Sequence, residues 1–537
     1  MNTLASVRRV LIVIPPLVNS ESEPTALNID RPDFESYRLV SPVEPTSVAG
    51  DLLQRGFDVE LFDLGTYMTG RFEALQACLR NTKPDAVVIV QSILTFATAQ
   101  DWDGRKVFDI ARQEVSGVLT VLTGGQPTNY PGQAVTAGVC DYSIRGEVDF
   151  AVGELLIALN ERRELNQIDG LAFRDSAGEV HISEKYPSVD IAALPMPAYQ
   201  LIGHEQKEKY ASTLERGKIR YPARNTRYRD IMTSRSCRLR CAFCSVAALR
   251  GDAQHYRRKP LERVVAEIES ALEDGIGEIH FFDDLFAESE EQIIAFANEL
   301  VRRNLKFPWF AAQGMPLWPL TQSALAAMKE AGMYRIICPL ESGNDRVLKR
   351  VIGKAYSTTK HHHDVLEWSH GLGLEIIGMY VLGMPGETRH DIYETMQFAE
   401  AHPQVDYSVF SIATPMVGTR LMKQVLKSGQ LDDSDKINRV IKRTVALYET
   451  DAFSAYELGV IRAFDWDRIN FNKPARVTKY AAMVGVSEVE LQRLRDHSKQ
   501  TFYRFFPDYD GPLSFSELYN QPGLFKEAQP VIPKTLY

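Results

Sequence analysis

The stretch Ser236-Cys-Arg-Leu-Arg-Cys-Ala-Phe-Cys244 places three cysteines at the spacing C-x3-C-x2-C, directly after a predicted strand at residues 231–234. A zinc site normally uses four ligands in two close pairs, and no second Cys or His pair follows at such a spacing. A disulfide would leave one thiol over. Three thiolates instead fit an iron–sulfur cluster that keeps one iron open for a substrate. We therefore predict that Cys237, Cys241 and Cys244 hold a 4Fe–4S cluster.

The cysteine stretch follows the first strand of a series in which apolar strands alternate with amphipathic helices. The predicted strands lie at residues 231–234, 278–282, 309–313, 336–340, 376–382 and 407–413. Strands that alternate with helices form parallel sheets, and a closed or partly closed series of them places its site at the carboxyl ends of the strands. The pattern predicts a partial (βα)6 barrel at residues 223–430, with the cysteines at its mouth.

The front of the chain shows a second, separate βα series. Predicted strands at residues 10–14, 59–63, 86–90, 119–123 and 141–145 alternate with helical stretches such as residues 45–55. This pattern predicts an α/β fold with a doubly wound, Rossmann-like domain at residues 1–158, whose ligand site lies at the carboxyl ends of the strands. Residues 159–222 are predicted to be a connector containing a small hairpin, and residues 431–537 a small, mostly helical domain.

Composition excludes several classes of protein. A chain of 537 residues needs more than one core, and its net charge of −9 comes from acidic and basic residues mixed along the sequence, which argues against a nucleic-acid partner. No apolar run reaches eighteen residues, so we expect no membrane span and a cytoplasmic location. Cys78, Cys140 and Cys338 are isolated among apolar neighbours and are expected to be buried.

The barrel segment resembles the radical SAM family over residues 228–420. The family places C-x3-C-x-Φ-C after its first barrel strand, and Phe243 supplies the aromatic residue Φ. Phe281-Phe-Asp-Asp284, Glu341-Ser-Gly343 and the run from Gly378 to Glu387 resemble segments with which the family binds S-adenosylmethionine (SAM). The resemblance implies SAM contacts from Phe243, Asp283, Asp284, Glu341, Ser342, Gly378 and Gly383. It also implies reductive cleavage of SAM to a 5′-deoxyadenosyl radical, fed by an electron donor such as flavodoxin or ferredoxin.

The front domain resembles the cobalamin-binding domain of class B radical SAM methyltransferases. The residues that carry this likeness are Ile14-Pro-Pro16, residues 45–56, Gly124-Gly-Gln-Pro127 and Arg145-Gly-Glu147. The motif D-x-H-x-x-G, which supplies a histidine to cobalt in other cobalamin proteins, is absent, so the resemblance implies base-off cobalamin without a histidine ligand. A flavodoxin-like domain that binds nothing is the alternative. The implied cobalamin contacts are Pro16, Leu17, Ser92, Ile93, Gly124, Gly125, Gln126, Arg145, Gly146 and Glu147.

Together the two resemblances imply a methyltransferase that moves a methyl group from SAM, via methylcobalamin, to an unactivated carbon or a phosphinate phosphorus of a small-molecule substrate. Cobalamin-dependent radical rearrangement, cyclisation or oxidation without methyl transfer remains open. Methylthio transfer to tRNA is disfavoured, because that family carries further cluster cysteines in its N-terminal domain and only Cys78 and Cys140 lie there.

Two further segments admit a different interpretation. Residues 477–495 resemble a helix-turn-helix around Gly485, which would make the protein an iron–sulfur regulator that binds DNA. The acidic balance argues against this, and we instead expect two packed helices that cover the barrel mouth. His361-His-His363 cannot share one metal ion, because consecutive helical residues point about 100° apart, and we expect a solvated helix start.

Overall fold

The computed structural model describes residues 6–15, 42–67, 70–91, 104–203, 206–207, 223–225, 227–251, 255–431 and 446–520. These residues divide into two compact units. The first contains the described residues up to 207 together with those of Val246–Arg263, and the second contains those of 223–245 and 264–520.

The first unit is built on a seven-stranded sheet in the order β2-β1-β3-β4-β5-β6-β7. Its first five strands are parallel, and the last two run antiparallel. The parallel order 2-1-3-4-5 is that of flavodoxin-like folds. Both strands of the predicted hairpin, β6 and β7, extend this sheet, so residues of the predicted connector complete the front sheet. The strands are β1 (Arg9–Ile14), β2 (Asp58–Asp63), β3 (Ala86–Ile89), β4 (Leu119–Thr123), β5 (Tyr142–Ile144), β6 (Leu171–Arg174) and β7 (Val180–Ile182).

Helices cover both faces of the front sheet because its strands are apolar on both sides. Val10 and Ile12 face one core with Leu52 of α1, whereas Leu11 and Val13 face another with Leu75 and other residues of α2 and α3. The doubly wound domain predicted from the sequence is thus confirmed. Its helices are α1 (Val43–Gln54), α2 (Arg71–Thr82), α3 (Arg105–Glu114), α4 (Gly125–Asn129), α5 (Gln133–Thr136) and α6 (Ala151–Glu161).

The second unit contains the predicted barrel strands, in two three-stranded parallel sheets ordered β12-β11-β8 and β13-β14-β15. A parallel bridge between Trp309 and Met333 joins the two sheets. The first strand begins at Tyr228 rather than Ile231, because its polar residues pair in register with Glu278 and His280 of the next strand. The strands of this unit are β8 (Tyr228–Ile231), β9 (Ser234–Arg235), β11 (Glu278–Phe281), β12 (Trp309–Ala311), β13 (Arg335–Glu341), β14 (Glu375–Leu382) and β15 (Tyr407–Ile412), whereas β10 (Arg257–Arg258) belongs to the first unit.

Amphipathic helices alternate with these strands, as the sequence predicts. Five of them have a Ser or Thr at the N-cap that accepts a backbone hydrogen bond: Ser289, Thr321, Thr358, Thr388 and Thr419. A π-helical segment, Val347–Ile352, follows β13. Helix α7 (Val246–Arg250) belongs to the first unit. The helices that follow it are α8 (Leu261–Glu273), α9 (Glu290–Arg302), α10 (Gln322–Glu330), α11 (Thr359–Gly371), α12 (Arg389–Ala401) and α13 (Arg420–Lys427).

A group of polar side chains occupies the amino-terminal half of the barrel interior. Glu278 accepts hydrogen bonds from the hydroxyl of Tyr334 (2.6 Å) and interacts with the ring of His280 (2.9 Å). That ring stacks on Tyr228 and lies tilted against Phe310, with centroid distances of 4.6 and 4.2 Å. This packed layer lies away from the carboxyl ends of the strands, where the predicted site residues cluster.

The C-terminal region is helical, as predicted, but its helix pair does not cover the barrel mouth. Tyr480 stacks on Tyr407 at the amino end of β15 (4.4 Å), and Arg476 donates to the carbonyl of Val405 just before that strand. Asn470 bonds both backbone groups of Ser408, which satisfies the open edge of the last strand. The helices are α14 (Ala455–Val460), α15 (Trp466–Phe471), α16 (Pro474–Val484), α17 (Glu488–Phe505) and α18 (Phe515–Tyr519).

Two expectations about composition can be compared with the structure directly. Cys140 and Cys338 are buried and Cys78 is partly buried, as expected for small apolar residues. Among the described helices, none is both long and apolar enough to cross a bilayer.

Candidate active site

The cysteine loop starts from a backbone held by the two aspartates that were predicted to contact SAM. The carboxylate of Asp283 accepts hydrogen bonds from the amides of Thr233 and Ser234, both at 2.6 Å. Asp284 accepts from the amide of Ser236 at 2.7 Å. Ser236 has a φ of 68°, so these bonds fix a left-handed turn immediately before Cys237. The structure therefore gives both aspartates a role in positioning the loop, and their contact with SAM stays a prediction.

The three cysteines lie together in this loop and are partly exposed. Burial raises the pKa of Cys237 to about 11, and the charge of Cys241 contributes to that shift. Burial likewise raises the pKa of Cys241 to about 12, with Cys244 adding to it. Metal binding releases such protons, because the thiolate is the ligand. Three neighbouring thiols on a rigid loop are a donor set that fits an iron–sulfur cluster.

The far side of the loop is fixed by two other elements of the barrel. The amide of Ala242 donates to the carbonyl of Ile352 (2.8 Å), and its carbonyl accepts from the amide of Leu421 (2.9 Å). Arg240 has a φ of 46°, a second left-handed position in the loop. Phe243, the predicted aromatic position, is partly buried between Ala242 and Cys244. The cysteines are thus carried by backbone that is anchored at both ends.

A buried ion pair lies beside the cysteines and was not anticipated from the sequence. Nζ of Lys354 donates to Oε1 of Glu341 (2.7 Å) and to the carbonyl of Pro339 (3.0 Å). Burial opposes the Lys354 charge, but Glu341 and Cys241 outweigh it, so the pKa of Lys354 lies above its ordinary value. Lys354 therefore places a positive charge beside the thiols, where three cysteine thiolates or a SAM carboxylate would be stabilised.

The segment at the end of β13 is shaped by a bulge. The register with β14 shifts between Pro339 and Glu341, and Glu341 has a φ of 60°. Ser342 is fully buried, and its hydroxyl bonds that of Thr395 on α12 (2.9 Å). A Cβ on Gly343 would lie 2.6 Å from Phe398, so glycine allows the close approach of α12. Glu341 and Ser342 are thus brought to the mouth, but each already has a partner within the chain.

The turn after β14 contains the remaining residues predicted for SAM. Gly378 lies within the strand, where an added Cβ would approach Leu340 at 3.0 Å. Gly383 ends the strand with a φ of 85°, and its carbonyl accepts from the hydroxyl of Tyr448 (2.5 Å). Glu387 closes the turn by accepting from the amide of Met384 (2.6 Å), and burial raises the pKa of Glu387 to about 8. These contacts fix the backbone of the turn from Gly383 to Glu387.

The first unit has its own candidate site at the carboxyl edge of β4 and β5. Gly124 has a φ of 98°, and an added Cβ would lie 2.4 Å from Gln91, so only glycine fits there. Gln126, on α4, donates to Gln133, while its Oε1 is buried without a hydrogen-bond partner among the described residues. A buried carbonyl oxygen without a partner is expected to receive a hydrogen bond from a ligand or water. The edge therefore fits a polar group of a bound cofactor.

The segment after β5 is occupied by contacts within the chain. The amide of Gly146 donates to the hydroxyl of Thr128 (2.8 Å), and the guanidinium of Arg145 lies over the ring of Tyr186. Glu147 is fully buried and forms a bidentate pair with Arg257 (2.7 and 2.8 Å) and an ion pair with Arg250 (3.5 Å). Its carboxylate is thus committed to two guanidinium groups, and its contact with cobalamin stays a prediction.

Four of the predicted cobalamin contacts cannot be placed. Pro16, Leu17, Ser92 and Ile93 lie outside the described residues. Of the remaining six, the structure brings Gly124, Gly125 and Gln126 to one edge with Arg145, Gly146 and Glu147. The three segments β4, α4 and β5 make this edge continuous, as expected for a doubly wound sheet.

The histidine triplet differs from the prediction of a solvated helix start. His362 is fully buried, and burial lowers the pKa of this imidazole to about 3. His361 interacts through Nε2 with the carbonyl of Leu317 (2.8 Å), and His363 with His402 (3.0 Å). His362 shares the buried face of this helix with Val365, Leu366 and Ser369, so it faces the core although its neighbours do not.

Comparison with known proteins identifies a family profile and two relatives that this chain resembles. The profile of the Radical SAM superfamily matches residues 231–399. An uncharacterized methyltransferase of Pyrococcus horikoshii is 27% identical over 431 residues, which cover 79% of this chain and 84% of that protein. The cytidylyl-2-hydroxyethylphosphonate methyltransferase of Streptomyces wedmorensis is 26% identical over 365 residues, or 62% of this chain and 65% of that protein.

Two solved structures share the fold across both units. The radical SAM methyltransferase TsrM from Kitasatospora setae, with cobalamin and a 4Fe–4S cluster bound, superposes with a TM-score of 0.59 at 18% identity, covering 78% of each chain. The cobalamin-dependent SAM radical enzyme OxsB superposes with a TM-score of 0.63 at 16% identity, covering 96% of this chain and 75% of OxsB. The chain therefore contains a radical SAM domain at residues 231–399 and shares its fold with TsrM and OxsB.

Proposed function

We propose that this enzyme is a cobalamin-dependent methyltransferase that moves a methyl group from SAM to an unactivated carbon, or a phosphinate phosphorus, of a small molecule. The observation that carries the proposal is the pairing of two sites in one chain. The first is the anchored loop of Cys237, Cys241 and Cys244, and the second is the strand-end edge at Gly124 and Gln126. Two relatives named as methyltransferases, described above, support the reaction type.

The barrel residues would hold the cluster and SAM. Cys237, Cys241 and Cys244 supply three ligands, and the cluster contributes the one-electron chemistry that cleaves SAM. Lys354 and Glu341 lie beside those cysteines and are placed to orient the charged methionine part of SAM. The turn from Gly383 to Glu387 offers backbone groups for a planar base. We propose that Phe243, Asp283, Asp284, Ser342 and Gly378 complete this pocket, by contact or by holding its walls.

The front edge would hold the corrin. Gly124 lets the backbone approach a bulky ligand closely, and Gln126 presents a buried amide oxygen toward it. Cobalamin would supply the methyl carrier, while these residues bind and orient it and exclude water from its face. We further propose contacts from Pro16, Leu17, Ser92, Ile93, Gly125, Arg145, Gly146 and Glu147, a base-off form of the cofactor, an electron-donor protein as partner and a cytoplasmic location.

The test is a product count in anaerobic turnover with SAM, hydroxocobalamin and a chemical reductant. Tryptophan and cytidylyl-2-hydroxyethylphosphonate are the first substrates to try. Tryptophan is the substrate bound in a solved structure of TsrM, and the phosphonate is the substrate named for the relative from Streptomyces wedmorensis. Methyl transfer predicts S-adenosylhomocysteine and 5′-deoxyadenosine in step with a methylated product. The variant Cys241→Ala should form no 5′-deoxyadenosine, whereas the matched control Cys78→Ala should retain all three products.

A different balance of products would identify the alternative reaction. Product formed together with 5′-deoxyadenosine, but without S-adenosylhomocysteine, would refute methyl transfer and support rearrangement, cyclisation or oxidation. Turnover by Cys241→Ala at the wild-type rate would refute the assignment of the cluster to this loop.

A further inference from the structure

Exposed basic side chains surround the cysteine loop on the second unit. Backbone contacts bring their three segments together: Ala242 bonds both Ile352 and Leu421, as described above. The guanidinium of Arg420 and the carbonyl of Arg240 also lie near Gly353, at 3.3 and 3.8 Å from the position of an added Cβ. We call this set the basic patch; it consists of Arg238, Arg240, Lys349, Arg350, Arg420 and Lys423.

Half of the charges of the basic patch have no ionic partner among the residues that the structure describes. Arg238 pairs with Glu288 (3.4 Å) and Lys349 with Asp345 (3.6 Å). Arg350, Arg420 and Lys423 form no ion pair with any residue that the structure describes. The whole chain carries a net charge of −9, so this surface has the opposite sign to the average of the molecule. Such a local field attracts an acidic partner and raises its rate of association.

Apolar groups lie among these cations, as in a protein interface. The guanidinium of Arg238 is 5.1 Å from the ring of Tyr356 and 5.7 Å from that of Trp318. Tyr356 is 59% exposed, and Leu426, on the same helix as Lys423, is 40% exposed. Arginine and aromatic residues are enriched where proteins bind one another. A purely electrostatic phosphate-binding surface would not need these exposed apolar side chains.

The basic patch also alternates with the cluster ligands along the chain, because Arg238 and Arg240 lie between Cys237 and Cys241. We propose that it is the docking surface for a small acidic electron-carrier protein that holds a reduced flavin or iron–sulfur centre. In each encounter the carrier is oxidised by one electron and the oxidised cluster is reduced by one. The inference rests on the cluster assigned under the proposed function, but not on cobalamin or on methyl transfer.

Charge reversal on the patch tests this without touching the loop. In the holoenzyme, we expect Arg350→Glu/Lys423→Glu to slow reduction of the cluster by reduced flavodoxin at least about tenfold at low salt, as followed by stopped-flow absorbance. The difference should shrink as salt is added, because screening weakens the steering. Reduction by dithionite should be unchanged. The control Lys306→Glu/Arg493→Glu has the same charge change at exposed sites outside the patch and should behave as wild type.

A second measurement does not depend on the cluster. Carbodiimide should join carboxylates of flavodoxin directly to Lys349 or Lys423 in the cofactor-free protein as well as in the holoenzyme, and mass spectrometry would locate the link. Wild-type reduction rates in the patch variant, or links only at Lys306, would overturn the proposal. The proposal would also fall if the patch variant bound RNA more weakly than wild type while its cluster was reduced at the wild-type rate. That result would show that the patch binds a nucleic acid. Failure of methyl transfer with the reduction effect intact would count against the proposed function alone.

Discussion

At the scale of single residues, Asp283 shows how a buried side chain can position a site, here by holding the backbone that leads into the cysteine loop. Its carboxylate binds the amides of Thr233 and Ser234 and is almost completely buried. The spacing of the cysteines could be read directly from the sequence, because three thiols within eight residues have few other uses. The position of Lys354 could not be predicted in this way, because it is far from Cys237 in the sequence. The two residues interact electrostatically only because the fold brings them together.

The Lys354–Glu341 pair supports a prediction about stability. We expect Lys354→Met to lower the free energy of unfolding of the cofactor-free protein by about 3–5 kcal/mol, because it leaves the buried Glu341 carboxylate without its cation. The double variant Lys354→Met/Glu341→Gln should recover part of that loss. Urea unfolding followed by tryptophan fluorescence measures both.

The matched control for this pair is Lys360→Met. Lys360 is 83% exposed and pairs with Asp364 four residues along the same helix. An exposed pair of this kind contributes well under about 1 kcal/mol, so the control should unfold near the wild-type midpoint. Equal losses in the two single variants, or no recovery in the double variant, would contradict the role given to the buried pair.

At the scale of elements, the turn after β14 is held by a carboxyl group in an unusual state. Glu387 is fully buried, and burial raises its pKa from 4.5 to about 8. Between these two values the folded protein keeps a proton that the unfolded chain releases, so the free energy of unfolding falls as the pH rises through this window. Below pH 4.5 both states are protonated, and above pH 8 both are ionised, so the dependence ends there.

This sign leads to a second prediction. Glu387→Gln removes the titration, so the stability of the variant relative to wild type should rise by up to about 1.4 kcal/mol for each pH unit within the window. Urea midpoints of the cofactor-free proteins at about pH 5.5, pH 7 and pH 8.5 give this difference directly. Comparison with wild type cancels other buried acids such as Asp51, whose pKa burial raises to about 6. Parallel pH profiles for the two proteins would show that Glu387 does not titrate in this range.

Most elements were predictable because hydrophobic runs fix where a buried strand lies. The strand at Leu119–Thr123 has the bounds expected from the sequence, and the strand at Tyr407–Ile412 ends one residue earlier than expected. The polar beginning of β8 at Tyr228 was missed, because Arg229 and Asp230 are buried only through partners in the barrel. The position of α16 beside Tyr407 was also missed, since a helical pattern identifies an apolar face but not the surface that the face covers.

At the scale of the whole molecule, the third prediction concerns cobalt. Residues 1–158 contain no histidine, and His181 on β7 stacks on Phe173 and interacts with Asp175. If the front domain binds cobalamin, the cobalt(II) form should therefore show an EPR spectrum whose cobalt lines are not split by an axial nitrogen. Anaerobic protein reconstituted with hydroxocobalamin and then reduced is the sample to measure. A nitrogen splitting would contradict the base-off form, and protein without bound corrinoid would contradict the cobalamin site itself.

The sequence by itself determined the two βα series and the order of their elements, and it supplied the prediction that Cys237, Cys241 and Cys244 are the cluster ligands. The periodicity of strands and helices and the short-range spacing of cysteines are local properties, so they can be recognised without knowledge of the fold. Only the tertiary structure decided which polar residues meet. It paired Lys354 with Glu341, committed Glu147 to Arg250 and Arg257, buried His362 and gathered the basic patch around Gly353. Each of these features depends on residues from different segments of the chain. A single sequence contains no periodic pattern that identifies such long-range partners.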